Sequence, residues 1–278
     1  MSTIIEQWVS GKGFPDELVI DGHIHIGDGE RDHVTTWENA PDAIEGAIRY
    51  MDACGVDACC ALTGGYCMGR QDYHMGNDFL LQIWDGLKGR FIPFVHINAC
   101  DTKENILAEL KRMKSAGVRC IKLVNHYQDA YPGDGPNLMA VYAFAAENNM
   151  LVFDHAWTEQ EITKIAGRYP DVDFIFGHYS GGYQDDVMTK YRNVYTSIWA
   201  YGGLGWLERG VKKLGADRFM FGSDGFVNCP TVGIGPVVFA DIPDGDKRLI
   251  LGGTMARLLD KVGALPEGIR TKYNKSVS

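Results

Sequence analysis

The sequence predicts a single (β/α)8 barrel, an α/β fold of the TIM type. Eight short β-rich segments alternate with amphipathic stretches from about residue 18 to the end, and 278 residues is the length of one such barrel. No linker, low-complexity tract or charge run divides the chain, so residues 1–278 read as one domain. An open, doubly wound sheet is the alternative, but no Gly-x-Gly-x-x-Gly fingerprint follows the first strand.

The expected strands are Leu18–His25, Ala58–Leu62, Phe91–Ile97, Val118–Leu123, Leu151–His155, Phe174–His178, Val194–Ser197 and Phe219–Gly222. Between them the apolar period lengthens from two to about 3.6, the mark of an intervening helix. Ile44, Ala47, Ile48 and Met51 form one helical stripe, and Leu138, Val141, Tyr142 and Ala145 another. Asp101 with Glu104, and Thr158 with Glu161, read as N-terminal capping pairs. Gly55 and Gly117 stand just past helical stripes, where a left-handed residue ends a helix. The tail after Leu265 reads as surface padding.

Composition narrows the function classes. Hydrophobic residues make up 45% and charged residues 23%, ordinary for a globular chain that folds without a structural metal. The net charge of −9 argues against a nucleic-acid partner, because phosphate binding rests on basic side chains. No stretch approaches the ~18 apolar residues of a spanning helix, and no secretory signal opens the chain, so no membrane partner and a cytoplasmic location are expected. The seven cysteines are scattered, without a Cys-x-x-Cys pair, and read as reduced, mostly buried thiols.

The chemistry concentrates at strand ends. In Asp21-Gly-His-Ile-His-Ile-Gly27, His23 and His25 are two residues apart on a strand and project from one face, where two imidazoles can hold one ion. Strand five ends in His155, strand six in His178, and strand eight runs into Asp224. Barrel sites form at the C-terminal ends of strands, so these residues share one rim. Each alone is ordinary capping, packing or turn chemistry; together they point to a divalent metal centre. Such an ion lowers the pKa of water toward ~7. A carboxylate can take the proton and an imidazole can stabilise charge on a carbonyl oxygen.

These motifs, with Gly-Val-Arg-Cys-Ile-Lys-Leu at 117–123, Phe-Gly-His-Tyr-Ser-Gly-Gly at 176–182, Asp-Arg-Phe-Met-Phe-Gly-Ser-Asp at 217–224 and Ile-Leu-Gly-Gly-Thr-Met-Ala-Arg-Leu-Leu at 250–259, resemble the amidohydrolase superfamily in its amidohydrolase-related (amidohydrolase 2) branch. The resemblance implies His23, His25, His155 and Asp224 as ligands of one divalent ion, with Asp224 also the base and His178 a second catalytic group that polarises a carbonyl. Zn²⁺ suits three nitrogens and a carboxylate, and Mn²⁺ or Fe²⁺ accepts similar sets. Lys122 faces the barrel by parity with Val118 and Cys120 and is expected to contact substrate or a group beside it, with a structural ion pair as the next reading and a bridging carbamate the last.

Other rim candidates are Trp157 and Tyr179 against substrate, the aromatics Tyr127, Tyr131, Trp199 and Tyr201, and Arg31 and Arg70 for a substrate carboxylate. Of the remaining histidines, His33, His74, His96 and His126, only His126 is placed near the site. The expected activity is hydrolysis of a small ester, lactone or amide, acting on a small-molecule substrate, and a homo-oligomer is compatible with the family. The alternative is non-oxidative decarboxylation of an aromatic or unsaturated acid; decarboxylases of this branch tend to carry a glutamate after the strand-six histidine, where this chain has Tyr179-Ser-Gly-Gly182. A barrel nuclease would place a glutamate where Lys122 stands, and a non-catalytic barrel would not need the full ligand set.

Overall fold

The computed structural model describes residues 2–27, 39–63, 72–87, 89–199, 205–225, 228 and 231–277. Eight parallel strands follow one another around a nearly closed barrel in chain order: β1 (Ile20–His25), β2 (Ala58–Leu62), β3 (Phe91–His96), β4 (Cys120–Leu123), β5 (Leu151–Asp154), β6 (Phe174–Phe176), β7 (Val194–Ser197) and β8 (Phe219–Met220). The last strand meets the first through Gly22 N–H to Phe221 O at 2.9 Å, Asp224 N–H to His23 O at 2.9 Å and His25 N–H to Gly225 O at 3.0 Å.

Strands buried on both faces explain the near-continuous apolar runs in the sequence. Ile20, Cys60, Phe94, Cys120, Phe153 and Ile175 belong to the inner cluster, while Ile24, Val95, Ile121 and Val152 pack outward under the helices. Val118 lies in the outer cluster, two residues before β4 begins, but Cys120 and Lys122 hold the expected inward parity.

Helices α2 (Ala40–Cys54), α3 (Tyr73–Gly86), α4 (Lys103–Ser115), α5 (Pro136–Asn148), α6 (Glu159–Arg168), α7 (Tyr183–Lys190) and α8 (Trp206–Leu214) alternate with the strands, after a short N-terminal α1 (Ile4–Val9). In α5 the expected stripe Leu138, Val141, Tyr142 and Ala145 is buried; in α2, Ile48 turns outward and Tyr50 takes the inner place. Thr158 and Glu161 form the expected capping box, and Gly55 closes α2 at φ 68°. The α4 cap is Thr102, not Asp101: the threonine hydroxyl accepts from Asn105 N–H, and Asp101 instead accepts from Thr102 N–H and the Asn105 amide.

The C-terminal segment corrects an expectation. After α9 (Thr231–Val238), α10 (Asp244–Arg248), one π-helical turn and α11 (Thr254–Lys261), the residues expected as padding form α12 (Glu267–Val277). Ile269 and Tyr273, one turn apart, pack on the inner cluster, and Lys272 Nζ lies 2.8 Å from both Asp57 oxygens. Two apolar residues in a polar tail were too few to show a helical period, yet they close the end of the barrel opposite the rim.

Candidate metal centre

Strand β1 carries a β-bulge between Asp21 and Ile24. Strict alternation would put Asp21 on the same face as His23 and His25. Instead Ile20 faces inward, and a Cβ on Gly22 would also meet the inner Met220 and Met255. His23 and His25 then face inward too, while Asp21 bonds outward to Tyr50 of α2. Bulges commonly re-aim side chains beside active sites.

The ligand atoms of His23, His25 and Asp224 lie within 4.8 Å of one another. Both imidazoles turn Nε2 to one oxygen, Asp224 Oδ1, at 3.3 Å from His23 and 3.2 Å from His25. His23 Nε2 is fully buried and makes no hydrogen bond of good geometry despite that approach. Buried ring nitrogens and a carboxylate oxygen converging in this way, one of the nitrogens without a hydrogen-bond partner, fit a divalent cation. Burial works against ionisation of Asp224, but the two histidines outweigh it and hold the carboxyl well below the usual range. Asn228 Nδ2 donates to Asp224 Oδ2 at 3.1 Å, so one carboxylate oxygen faces the histidines while the other is held from behind.

Opposite this group, His178 Nε2 lies 2.9 Å from His155 Nε2 and accepts the Trp199 indole N–H at 3.2 Å. Trp199 also stacks on His23 with ring centroids 4.0 Å apart. Burial lowers His178 to about 4, with Lys122 and His126 adding to the shift, so His178 is neutral at pH 7. His155 is lowered further, by burial first and then by Lys122. Asp224 and His178 stand at φ 57° and 52°, a region non-glycine residues seldom occupy and one that clusters at functional sites.

Lys122 is inward and buried, its Nζ over the Phe153 ring at 4.8 Å and donating to Leu123 O at 3.2 Å. His126 and Tyr127 flank His155 with centroids 4.4 and 5.1 Å from it, and Nδ1 of His126 is buried without a partner. A cavity of about 490 Å³ opens here, lined by His126, His155, His178, Ser180, Tyr183 and Gln184.

Sequence reasoning missed several residues. His96, set aside as remote, ends β3 facing inward, with Nδ1 3.3 Å from Lys122 O. Alternation from Ile92 and Phe94 would have found it. Asp21, Ser223, Tyr50 and Asn228 were not singled out, because nothing in the motif reveals the bulge. Two expected substrate contacts are not brought to this cavity. Trp157 is buried in the outer layer on Phe174 and Phe176, with Nε1 bonded to Tyr142. Tyr179 points outward onto Phe219 and donates to Asp185 at 2.8 Å. Both follow a rim residue by one or two positions, where the chain has already turned out of the barrel. Tyr131 joins the outer layer, and His74 pairs with Glu109 at 2.9 Å. Arg31, Arg70, His33 and Tyr201 lie outside the described residues.

Gly177, just before His178, has no room for a side chain: a Cβ would fall 2.5 Å from the Trp199 ring and 2.6 Å from His155 O. Gly177→Ala is expected to destabilise the protein by about 1–3 kcal/mol, the usual cost of overpacking. It should also displace Trp199, read as a lower melting temperature with altered tryptophan fluorescence.

Known proteins share this architecture. No curated protein matches the sequence. An uncharacterized TIM-barrel protein from Bordetella bronchiseptica is 18% identical, with TM-score 0.69 over 88% of this chain and 99% of that one. A 2,6-dihydroxybenzoate decarboxylase from Rhizobium is 13% identical, with TM-score 0.69 over 88% and 99%. A dihydroxybenzoic acid decarboxylase from Polaromonas sp. JS666, solved with manganese and 2-nitroresorcinol, is 15% identical, with TM-score 0.67 over 88% and 97%. No helix among the described residues is long and apolar enough to cross a membrane. Residues 20–261 match the amidohydrolase family model, and the chain, with its inward histidines and rim aspartate, belongs to that family of metal-dependent enzymes.

Proposed function

We propose that this protein hydrolyses a small ester, lactone or amide. The observation that carries the reading is the division of the ionised Asp224, with Oδ1 turned to His23 and His25 and Oδ2 held by Asn228. A divalent ion, Zn²⁺ or the manganese found in a similar structure, supplies Lewis acidity and a lowered pKa for water when held by His23, His25, Asp224 and, as the fourth ligand, His155. Asp224 takes the proton from the attacking water and passes it to the leaving group. His178 accepts the Trp199 N–H at Nε2, so it polarises a carbonyl as the neutral tautomer whose single ring proton has shifted from Nδ1 to Nε2, in place of that contact. Lys122, facing inward from β4, contacts a substrate oxygen; Tyr127 and the cavity-lining Tyr183 offer ring faces. Arg31 and Arg70 remain proposed carboxylate contacts from the loops.

A second reading, decarboxylation of a hydroxylated aromatic acid, is favoured by the likeness to the two dihydroxybenzoate decarboxylases. One experiment separates the two. Protein reloaded with Zn²⁺ or Mn²⁺ is offered a panel of lactones and esters and a panel of hydroxybenzoates. Acid release at constant pH on the first panel alone is the expected result. Loss of the ring carboxylate as carbon dioxide on the second would replace hydrolysis with decarboxylation.

A further inference from the structure

The buried carboxylate of Asp21 lies behind the metal centre and grips both chain segments that form it. Its Oδ1 accepts from His23 N–H at 3.2 Å and from Ser223 N–H at 2.9 Å. Its Oδ2 accepts the Ser223 hydroxyl at 2.5 Å and the Tyr50 phenol, and Tyr50 and Ser223 lie within hydrogen-bond reach of each other at 3.1 Å. One side chain thus ties β1, the turn that presents Asp224, and α2. The segments it joins are 202 residues apart in the chain.

This grip bears on Asp224, the next residue in the chain after Ser223. Asp224 is held at φ 57°, a conformation that relaxes unless its surroundings fix it. The bulge that turns Asp21 away from the interior is also what turns His23 into it. We infer that Asp21, through Ser223 and Tyr50, is a positioning residue that sets the mutual placement of His23 and Asp224 and thereby the affinity for the metal ion. The inference rests on the metal-centre reading. Asp21 touches neither substrate nor ion; it acts through the backbone of both ligand segments. Partners of this kind typically govern metal affinity by about 10- to 100-fold.

The test measures Mn²⁺ affinity of the full chain by competition with a fluorescent chelator, beside the melting temperature of the metal-free protein. The variants are Asp21→Asn, Ser223→Ala and Tyr50→Phe. Asp21→Asn keeps the shape but cannot accept both hydroxyls. Ser223→Ala is the milder change, should Asp21→Asn fail to fold. Asp21→Asn and Ser223→Ala are expected to weaken Mn²⁺ binding by about tenfold or more. Tyr50→Phe should have a smaller effect, and turnover should recover in excess Mn²⁺, as positioning without direct participation requires. Wild-type Mn²⁺ affinity in folded variants whose metal-free melting temperature has dropped would reduce Asp21 to a packing role and overturn the inference alone. A wild-type chain that binds neither Mn²⁺ nor Zn²⁺ would remove the metal centre and the inference with it.

Discussion

Replacing Asp224 by asparagine is expected to lower turnover by about 10³-fold, within the range a positioned general base supplies. Asparagine is chosen because it tolerates the left-handed backbone at φ 57°, which alanine would occupy at a cost of about 1 kcal/mol. Its amide keeps an oxygen for the position facing His23 and His25, and Asn228 can present either end of its own amide to the other. The proton acceptor is what disappears. Elemental analysis and steady-state kinetics on the same preparations check this, with His25→Ala as the reference that loses the ion. Asp224→Asn with bound metal and turnover within tenfold of wild type would remove Asp224 from its role as base.

Acid is expected to destabilise the fold through His96. This imidazole is buried, and its hydrogen bonds specify the neutral form. Gln128 Oε1 accepts from Ala99 N–H at 2.9 Å and its Nε2 donates to Ile97 O at 3.0 Å, which fixes the amide orientation. The Gln128 NH₂ therefore faces His96 Nε2 at 3.2 Å, leaving Nδ1–H for Lys122 O. A second proton on the ring would oppose a donor to a donor. Burial first, then the Lys122 and His25 charges, lower His96 to about 3 from its ordinary 6.5.

Between those values the unfolded chain binds the proton and the folded one does not. The stability this group supports is full above pH 6.5 and is lost as pH falls toward 3, at about 1.4 kcal/mol per pH unit. Asp21 and Asp154, raised by burial to about 6 and about 7, act in the opposite sense, since the folded state then holds the extra protons. The decisive measurement is thus the difference between wild type and His96→Gln in denaturant unfolding of the metal-free protein. The wild type should lose about 2 kcal/mol more than the variant between pH 6.5 and pH 5. Parallel curves would show that His96 does not carry the acid sensitivity.

How much was legible in the sequence depends on whether a residue's role follows from its own strand. His25, His155, His178 and Asp224 end apolar runs, and an apolar run bounded by a polar residue is a barrel strand reaching its rim. Lys122 follows from the same parity. What alternation cannot show is a break in alternation: the bulge in β1 moves Asp21 to the outer layer, and no residue type there announces it. Trp157, Tyr179 and Trp199 are equivalent as letters after a strand, yet only Trp199 turns back onto His23 and His178. The difference lies in the direction of the chain beyond the strand. Ser223 reads as the small residue of a turn, and its bond to Asp21 spans 202 residues of the sequence.

The ring of strands is closed at its shortest member, since β8 has two residues and hands on to an irregular stretch that meets β1 through single backbone bonds. Three of the four residues proposed to hold the ion, His23, His25 and Asp224, sit on the two sides of that junction, so an ion shared between them would fasten the first stave of the barrel to the last. Removing it with a chelator should quicken amide hydrogen exchange in Gly22–His25 and Phe221–Gly225 well before it does so in β4 or β5. An ion held by His23, His25 and Asp224 would thus be a clasp as well as a cofactor, placed where the first and last strands of the fold are kept together.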